Sequence, residues 1–342
     1  MKKLGLYTVA LVFIAFLFLY PLDAYVSKPG GAYDLAPIVE VVGGDEDDVG
    51  SFSLMTISIG KATPLAYVMS NFSSKMKILP INRVRREGEN DKEYNIRQKK
   101  LMSDSQFNAI TVAFDRVGIP VDIVYDGVFV AAIVEGGAAD GKLQAGDKIR
   151  QVDEIVLKES GEFAELISTK KEGDTIKVTV ERGSKQVDVE LTLSEIPKSD
   201  GKVGLGVQFQ EDRELTTNPE VKMNTAEIGG PSAGLMFTLE IMNQLLDEDL
   251  TKGYMIAGTG EMLPDGTVGR IGGADFKVIA ADREGVEIFF APDDELNGMT
   301  SGIKTNYEEA VEMGKKIGTK MKIVPVKTVD DALAYLKELE EK

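Results

Sequence analysis

A serine flanked by small residues is the first feature of this sequence that could carry out chemistry. Ile228-Gly229-Gly230-Pro231-Ser232-Ala233-Gly234 leads directly into an apolar run, Leu235 to Leu246, which predicts a helix. The small neighbours would let a substrate backbone approach the Ser232 hydroxyl closely. Unpaired N–H groups and the positive end of the helix dipole would lie where an oxyanion forms. Ser232 could instead only cap the helix, a common role for serine.

The composition limits which residue could activate such a serine. The chain has 342 residues and contains neither His nor Cys, which excludes a Ser-His-Asp triad, a thiol nucleophile and disulfides. Gly230-x-Ser232-x-Gly234 fits the nucleophile elbow of α/β-hydrolases, but that family needs a His base. A zinc site would have only carboxylate ligands, which zinc disfavours. The remaining groups for chemistry are Ser, Thr, Lys, Tyr, Asp and Glu, so no metal or other cofactor is expected.

Lys277 is a candidate general base. It follows Ile271-Gly272-Gly273 and lies in the first turns of a predicted short helix with mainly apolar neighbours. An ordinary lysine has a pKa near 10.4, so only about one molecule in 2,500 is neutral at pH 7. Burial can lower the pKa of a lysine by several units, and a pKa near 7.5 would make the neutral amine common enough to act as a base. The alternative is an ordinary surface lysine.

Other motifs give weaker signals for chemistry. Ser74-x-x-Lys77 and Ser301-x-x-Lys304 match one element of the β-lactamase pattern, but the companion S-D-N and K-T-G motifs are missing. Gly136-x4-Gly141-Lys142 is followed by Leu143 rather than Ser or Thr, so the chain has no complete Walker motif and no use of ATP is expected. The net charge of −17 argues against nucleic acid as a partner.

The N-terminus predicts a membrane anchor. Met1-Lys2-Lys3 precedes an apolar run from Leu4 to Leu22, which as a helix would reach roughly 28 Å, close to the hydrocarbon thickness of a bilayer. No clean small-x-small cleavage site follows, so the pattern favours an uncleaved transmembrane helix over a signal peptide. The positive-inside rule keeps the lysines in the cytoplasm. We therefore predict a single-pass cell-membrane protein with residues 1–24 as cytoplasmic tip and anchor and the catalytic domain outside the cytoplasm.

The remaining chain predicts an α+β multidomain protein. Residues 25–50 are rich in Pro and Gly and predict a linker, and residues 51–119 begin with a strand pattern and continue mostly helical, with no evident chemistry. Short strands separated by turns fill residues 120–197. From residue 200 to 342, helical and strand patterns alternate, which predicts an α/β domain.

Four sequence matches in the same order and spacing resemble the proteolytic domain of Lon. They are G-P-S-A-G at 230–234, T-G-E at 259–261, I-G-G at 271–273 and the lysine four positions after Gly273. The resemblance covers roughly residues 201–342. It implies a Ser-Lys dyad with Ser232 as nucleophile and Lys277 as base, and it makes Thr259 a hydrogen-bond partner that orients the lysine. Lon proteases assemble as rings, so a homo-oligomer is also implied.

Two departures from Lon bear on this expectation. Lon carries an ATPase module, which this chain lacks, and Lon has an acidic residue three places before its serine, where this chain has Gly229. ATP-driven unfolding is therefore not expected. At Gly229 the resemblance also provides no residue that could take the place of the acidic residue of Lon beside the catalytic site.

The strand-rich module at 120–197 resembles a PDZ domain. Ala138-Ala139-Asp140-Gly141-Lys142-Leu143-Gln144-Ala145-Gly146-Asp147-Lys148-Ile149 matches the PDZ pattern of small residues followed by L-x-x-G-D-x-I. The segment Asp126-Gly127-Val128-Phe129-Val130 stands where such domains carry a carboxylate-binding loop, so the resemblance predicts that these residues bind a peptide C-terminus. A β-module with a closed groove is the alternative.

The combined order of anchor, PDZ-like module and Lon-like domain resembles the PDZ-containing Lon-like proteases of the bacterial cell envelope. It implies an ATP-independent serine endopeptidase that cleaves peptides or proteins by acyl transfer. Ser232 attacks the carbonyl, Lys277 moves the proton, and backbone N–H groups around Ser232 and Ala233 stabilise the oxyanion beside Gly230. The alternative function is an envelope peptide-binding scaffold whose protease-like domain is inactive.

Overall fold

The computed structural model describes residues 2–45, 49–225, 228–294 and 302–342. Part of the predicted linker (46–48) and Ser301 of the second Ser-x-x-Lys pair lie outside the described residues. The chain divides into two compact units. Unit 1 combines Met1–Gly88, Met102–Ile119 and Val221–Lys342, and unit 2 combines Glu89–Leu101 and Pro120–Glu220. Unit 2 is therefore largely inserted, in chain order, between the segments that build unit 1.

The helices of the described chain are α1 (Lys2–Leu19), α2 (Pro64–Ser70), α3 (Ile81–Val84), α4 (Asp91–Val117), α5 (Glu162–Ser168), α6 (Gly234–Leu245), α7 (Ala274–Arg283), α8 (Asn306–Ile317) and α9 (Val329–Lys337). The strands are β1 (Ala24–Asp34), β2 (Val39–Val41), β3 (Ser51–Lys61), β4 (Lys77–Pro80), β5 (Asp122–Ile133), β6 (Lys148–Val152), β7 (Ile155–Val156), β8 (Thr175–Arg182), β9 (Lys185–Thr192), β10 (Ser194–Glu195), β11 (Val203–Gly204), β12 (Val207–Thr216), β13 (Val221–Met223), β14 (Met255–Gly258), β15 (Glu261–Met262), β16 (Val268–Gly269), β17 (Ile288–Pro292) and β18 (Lys322–Val326).

Unit 1 is built on a mixed sheet with the strand order β18-β17-β14-β3-β1-β4. β3, β14, β17 and β18 run parallel, and β1 is antiparallel to both β3 and β4. The crossovers between the parallel strands β14, β17 and β18 contain α7 and α8, as parallel connections require. The five residues of β17 are all buried, which fits a central strand covered on both faces.

Helix α7 packs between the sheet and α8 through its apolar side chains, all of which are buried. Phe276, Val278 and Ile279 join Phe289 of β17 in one buried cluster. α8 begins with a capping box at Thr305 and ends at Gly318, whose φ of 70° lies in the left-handed region. These contacts fix the first turn of α7, which carries Lys277.

Unit 2 contains an antiparallel sheet with the strand order β12-β5-β6-β8-β9, and β7 pairs with β6. Its inward side chains, such as Val130, Ile149 and Val178, form one buried cluster closed by Phe163 of α5. Asp147 of the G-D-x-I segment is fully buried and forms an ion pair with Arg182 at 2.7 Å. The predicted α+β fold with a strand-rich module agrees with this architecture.

The predicted transmembrane helix is wrong, and so is the single-pass membrane location that depended on it. No helix in the described chain combines the length and apolar character required to cross a bilayer. α1 includes Lys2 and Lys3 and already ends at Leu19, because Pro21 cannot continue a helix and β1 begins at Ala24. The apolar helical part therefore reaches about 24 Å at 1.5 Å per residue, shorter than a hydrocarbon core of about 30 Å.

The segment predicted as a linker at 25–50 forms strands instead. β1 occupies Ala24–Asp34 and pairs with both β3 and β4. Its Pro29-Gly30-Gly31 run, which predicted a linker, lies at a shift in the β1–β3 register. A Cβ on Gly30 would collide with Thr56 Oγ1, so glycine permits a close approach between the two strands.

Candidate functional site

Ser232 lies in a tight turn directly before α6. The helix begins at Gly234 with Ala233 as its N-cap, so Ser232 stands one residue outside the helix and does not cap it. Gly230 has a φ of 89°, a conformation that favours glycine, and it turns the chain into Pro231 and Ser232. Residues Gly234 to Gln244 of α6 are all buried, so the helix holds this turn in a fixed position.

The main-chain N–H groups of Ser232 and Ala233 have no hydrogen-bond acceptor among the described residues. Ser232 itself is half-buried. Two unpaired donors beside a partly accessible hydroxyl, at the start of a buried helix, form the arrangement that stabilises an oxyanion. A Cβ on Gly234 would lie 2.6 Å from the nitrogen of Met262, so only glycine fits at the next position.

Lys277 reaches this turn from the first turn of α7. Its side chain is 2% exposed, and its Nζ lies 2.7 Å from Ser232 Oγ and 2.8 Å from Thr259 Oγ1. The helix starts after Gly273, which has a φ of 74° and would bring a Cβ to 3.0 Å from Ile57 of β3. A glycine here therefore allows α7 to begin close against the sheet.

Thr259 follows β14 and connects the two side chains. It is fully buried, and its N–H donates to the carbonyl of Phe290 in β17 at 3.0 Å. Its hydroxyl donates to the carbonyl of Ser232 at 3.0 Å. The structure thus brings together Ser232, Thr259 and Lys277, three residues that are far apart in the chain.

The surroundings of Lys277 favour its neutral form. Burial lowers the pKa of the Lys277 amine from its ordinary 10.5 to about 7, because the ammonium would lose its hydration. A neutral lysine has a lone pair, and at 2.7 Å it can accept the proton of the Ser232 hydroxyl. Among the described residues, no group of carboxylates is arranged to hold a metal ion.

Glu261 is a further acid near this site. It lies two residues after Thr259 and is half-buried. Burial, and then the nearby charge of Asp104, raise the pKa of its carboxyl. Glu261 was part of the T-G-E match, but no sequence motif pointed to Asp104, which lies in the helical segment predicted to have no evident chemistry.

The predicted peptide-binding residues of the PDZ-like module lie inside its sheet. Gly127, Val128, Phe129 and Val130 all belong to β5, and the last three are buried. Val128 pairs with Glu211 of β12 on one side and with Ile149 of β6 on the other. Both edges of the strand are occupied at this point, so these residues offer no free edge to a peptide.

β12 is an edge strand of the sheet of unit 2. This strand pairs only with β5 among the described strands. Its residues Gln208, Phe209 and Gln210 are exposed, and the Phe209 ring packs edge-on against Phe163 of α5, with ring centroids 4.7 Å apart. The sequence feature that could have pointed to this edge strand is the glycine-rich run Gly204-Leu205-Gly206 directly before it. Gly206 has a φ of 74°. This run was not among the residues predicted to bind a peptide.

Comparison with known families identifies the module. Residues 116–193 match the family model described as "PDZ domain". Among solved structures, the PDZ domain of the SdrC-like protein from Listeria monocytogenes is 36% identical, covering 25% of this chain and 88% of that chain, with a TM-score of 0.24. The family-model match shows that the chain contains a PDZ domain, as predicted for this module.

Comparison with curated proteins finds Lon proteases. The Lon protease of Koribacter versatilis is 26% identical over 189 residues, which is 55% of this chain and 20% of the relative. The Lon protease of Clostridium acetobutylicum is 26% identical over 199 residues, which is 55% of this chain and 23% of the relative. The matched part spans about a fifth of the length of these relatives. A PDZ domain joined to weak Lon homology gives this chain a protease-related or peptide-binding role.

Proposed function

We propose that this protein is a serine endopeptidase that uses a Ser-Lys dyad and needs no ATP. The observation that carries the proposal is the 2.7 Å contact between the buried amine of Lys277 and the hydroxyl of Ser232. A surface lysine near a serine would stay protonated and could not act as a base, but burial brings this pKa to about 7. The weak Lon homology supports the same reaction class.

Acylation begins with neutral Lys277. Its lone pair accepts the Ser232 proton while the serine oxygen attacks the carbonyl carbon of a peptide bond. Negative charge develops on the carbonyl oxygen and is stabilised by the N–H groups of Ser232 and Ala233. The protonated Lys277 then gives its proton to the leaving amine, and an ester between the substrate and Ser232 remains.

Hydrolysis of the ester repeats these steps with water. Neutral Lys277 accepts a proton from a water molecule, which attacks the ester carbonyl, and the same two N–H groups stabilise the second oxyanion. Lys277 returns the proton to the oxygen of Ser232 as the acid product leaves. Thr259 keeps the amine in place through both halves of the reaction.

Peptide cleavage by the purified chain in the absence of ATP tests this proposal. We expect casein or a peptide library to be cleaved and a fluorophosphonate probe to label the chain. Ser232→Ala and Lys277→Ala should each lose both signals, and Ser74→Ala, at the exposed serine of the other described Ser-x-x-Lys pair, should keep them. A folded wild-type chain with neither signal would contradict the proposal and favour the inactive scaffold.

Peptide binding by the PDZ domain is a second candidate function, and one observation favours it. A peptide that binds as an added strand needs an unpaired strand edge and side-chain pockets beside it. β12 is an edge strand among the described strands, and α5 borders it through the Phe163–Phe209 contact. We therefore move the proposed peptide site from the predicted residues of β5 to β12.

A further inference from the structure

One face of helix α4 donates hydrogen bonds to the segments that carry the proposed dyad. Ser105 Oγ donates to the carbonyl of Pro231 at 3.0 Å, and Asn108 Nδ2 donates to the carbonyl of Met262 at 2.9 Å. The two side chains are three positions apart and so share a helix face. Pro231 directly precedes Ser232, and Met262 lies three residues after Thr259. All of these residues belong to unit 1.

Ser105 is important because its hydrogen bond sets the orientation of the peptide unit between Pro231 and Ser232. A trans peptide is planar, so the C=O of Pro231 and the N–H of Ser232 point in opposite directions. A hydrogen bond that fixes the Pro231 carbonyl therefore also aims the Ser232 N–H. Because Pro231 has no N–H of its own, its carbonyl is its only main-chain group that can form a hydrogen bond.

The remaining contacts leave this peptide unit dependent on Ser105. Among the described residues, the Pro231 carbonyl accepts hydrogen bonds only from the Ser105 hydroxyl and from the Gly234 N–H, the latter at 3.3 Å. Ser105 is 2% exposed, so water has little access to take over its bond. A Cβ on Gly234 would lie 2.9 Å from Ser105 Oγ, which shows how closely the hydroxyl packs against the turn.

We propose that Ser105 is a positioning residue that aims the Ser232 N–H into the oxyanion site. This inference rests on the proposed serine peptidase function. Among the described residues, Ser105 forms no hydrogen bond with Ser232 Oγ or Lys277 Nζ, so it acts on charge stabilisation and not on proton transfer. Loss of the Ser105 hydroxyl should therefore weaken binding of the transition state and leave the titration of the base unchanged.

The experiment compares wild type with Ser105→Ala on one peptide substrate and on a peptide boronic acid of the same sequence. The boronic acid forms a tetrahedral adduct with a serine, and one oxygen of that adduct occupies the oxyanion site. We expect kcat to fall about tenfold and the inhibition constant of the boronic acid to rise by a similar factor. KM and the pH midpoint of activity should stay at their wild-type values.

Matched variants separate positioning from general destabilisation. Thr111→Val removes a hydroxyl from the same helix that donates only within the helix, to the Phe107 carbonyl at 2.8 Å, and it should leave the boronic acid constant unchanged. Ser105→Thr keeps the hydroxyl and should retain boronic acid binding. If Ser105→Ala does not fold, Ser105→Cys offers a second route, because it fills a similar volume with a weak S–H donor in place of the hydroxyl and should weaken the boronic acid in the same direction.

The outcomes are distinguishable. An active wild type with a folded Ser105→Ala variant that binds the boronic acid equally well would overturn the positioning role. A change in Thr111→Val equal to that in Ser105→Ala would also overturn it, because the effect would then be a general loss of stability. A wild type without cleavage or probe labelling would instead overturn the proposed function itself.

Discussion

The hydroxyl of Thr259 donates its single proton to the carbonyl of Ser232, at 3.0 Å. Because that proton is already used, the oxygen of Thr259 can only accept at Lys277, 2.8 Å away. Lys277 must therefore direct one of its N–H bonds at Thr259. In the neutral amine this leaves the lone pair free to face the Ser232 hydroxyl. The same Ser232 carbonyl accepts the Gly260 N–H at 3.0 Å, which fixes the following peptide unit and with it the N–H of Ala233.

Replacement of Thr259 by valine tests this arrangement. Thr259→Val keeps the shape but removes both hydrogen bonds, each worth about 1 kcal/mol, so we expect the turnover rate to fall about 10- to 100-fold. The lost acceptor had favoured the ammonium form, so the pKa of Lys277 and the rising limb of the pH profile should move to lower pH. Steady-state kinetics from pH 5 to 9 measure both effects.

Thr259→Ser is the matched control for this change. It keeps the hydroxyl and should preserve both the rate and the pH midpoint to within a few-fold. A loss in the serine variant with a full rate in the valine variant would show that packing of the methyl group, and not the hydroxyl, matters at this position.

The rate of the wild-type chain should follow the titration of Lys277. The neutral amine is the base, and burial sets its pKa to about 7. Activity should therefore rise about tenfold per pH unit below this value and level off above it. A profile of kcat/KM against pH, recorded with one peptide substrate, checks this. An unchanged rate between pH 5 and 7 would contradict a lysine base.

The predictability of the site from sequence depended on how local each signal is. Ser232, Thr259 and Lys277 lie in short motifs whose spacing matches a known family, and their contacts agree with those expected from the motifs. Ser105 lies 126 positions before Pro231 in a helix with no motif, and its bond to that carbonyl exists only after the chain folds. A tertiary contact of this kind leaves no local pattern to detect.

The errors at the level of the fold have similar causes. Glycine and proline at residues 29–31 are common in linkers, but here they permit a shift in register and a close approach between β1 and β3. In unit 2, the PDZ resemblance predicted peptide binding at Val128 and Phe129 from where their segment stands in the sequence, and this position does not tell a central strand from an edge strand. The pairing of β5 on both sides became visible only in the folded sheet.

Burial of Lys277 should cost stability in a pH-dependent way. The folded-state pKa of about 7 lies below the ordinary 10.5, so the penalty is fully present below pH 7, shrinks between the two values and vanishes above the higher one. Lys277→Met should therefore stabilise the chain at pH 6. The expected gain is about 3 kcal/mol, because a pKa depression worth about 5 kcal/mol is partly offset by two lost hydrogen bonds.

Denaturant unfolding at pH 6 and pH 10 measures this difference. The gain from Lys277→Met should disappear at pH 10. Lys315→Met, at an exposed position of α8, should show no such dependence. A Lys277→Met variant that is less stable than wild type by the same amount at both pH values would mean that the lysine is not held in its neutral form.

Substitution of Gly230 by alanine should lower the reactivity of Ser232 more than it lowers the free energy of unfolding. Its φ of 89° strains any other residue, and a Cβ here would disturb the turn that carries Ser232. Gly285→Ala is the matched control because Gly285 has a φ of 78° in the same unit, and a Cβ there meets no atom within 4 Å. Both variants should lose about 1 kcal/mol of unfolding free energy. Only Gly230→Ala should also lose probe labelling, by about tenfold or more, and equal labelling of the two variants would remove any special role of the turn.

Peptide binding at the β12 edge should depend on Phe209. Its ring is 38% exposed and packs against Phe163 of α5, so it borders the place where an added strand would lie. Phe209→Ala should weaken a bound peptide about tenfold, because an aromatic contact and its buried area are lost. Fluorescence polarisation with a peptide selected from a library of C-terminal sequences measures the affinity. Val156→Ala, at an exposed apolar residue of β7 in the same unit, should bind as wild type does. Loss of binding in Val156→Ala with full binding in Phe209→Ala would place the peptide elsewhere on the domain.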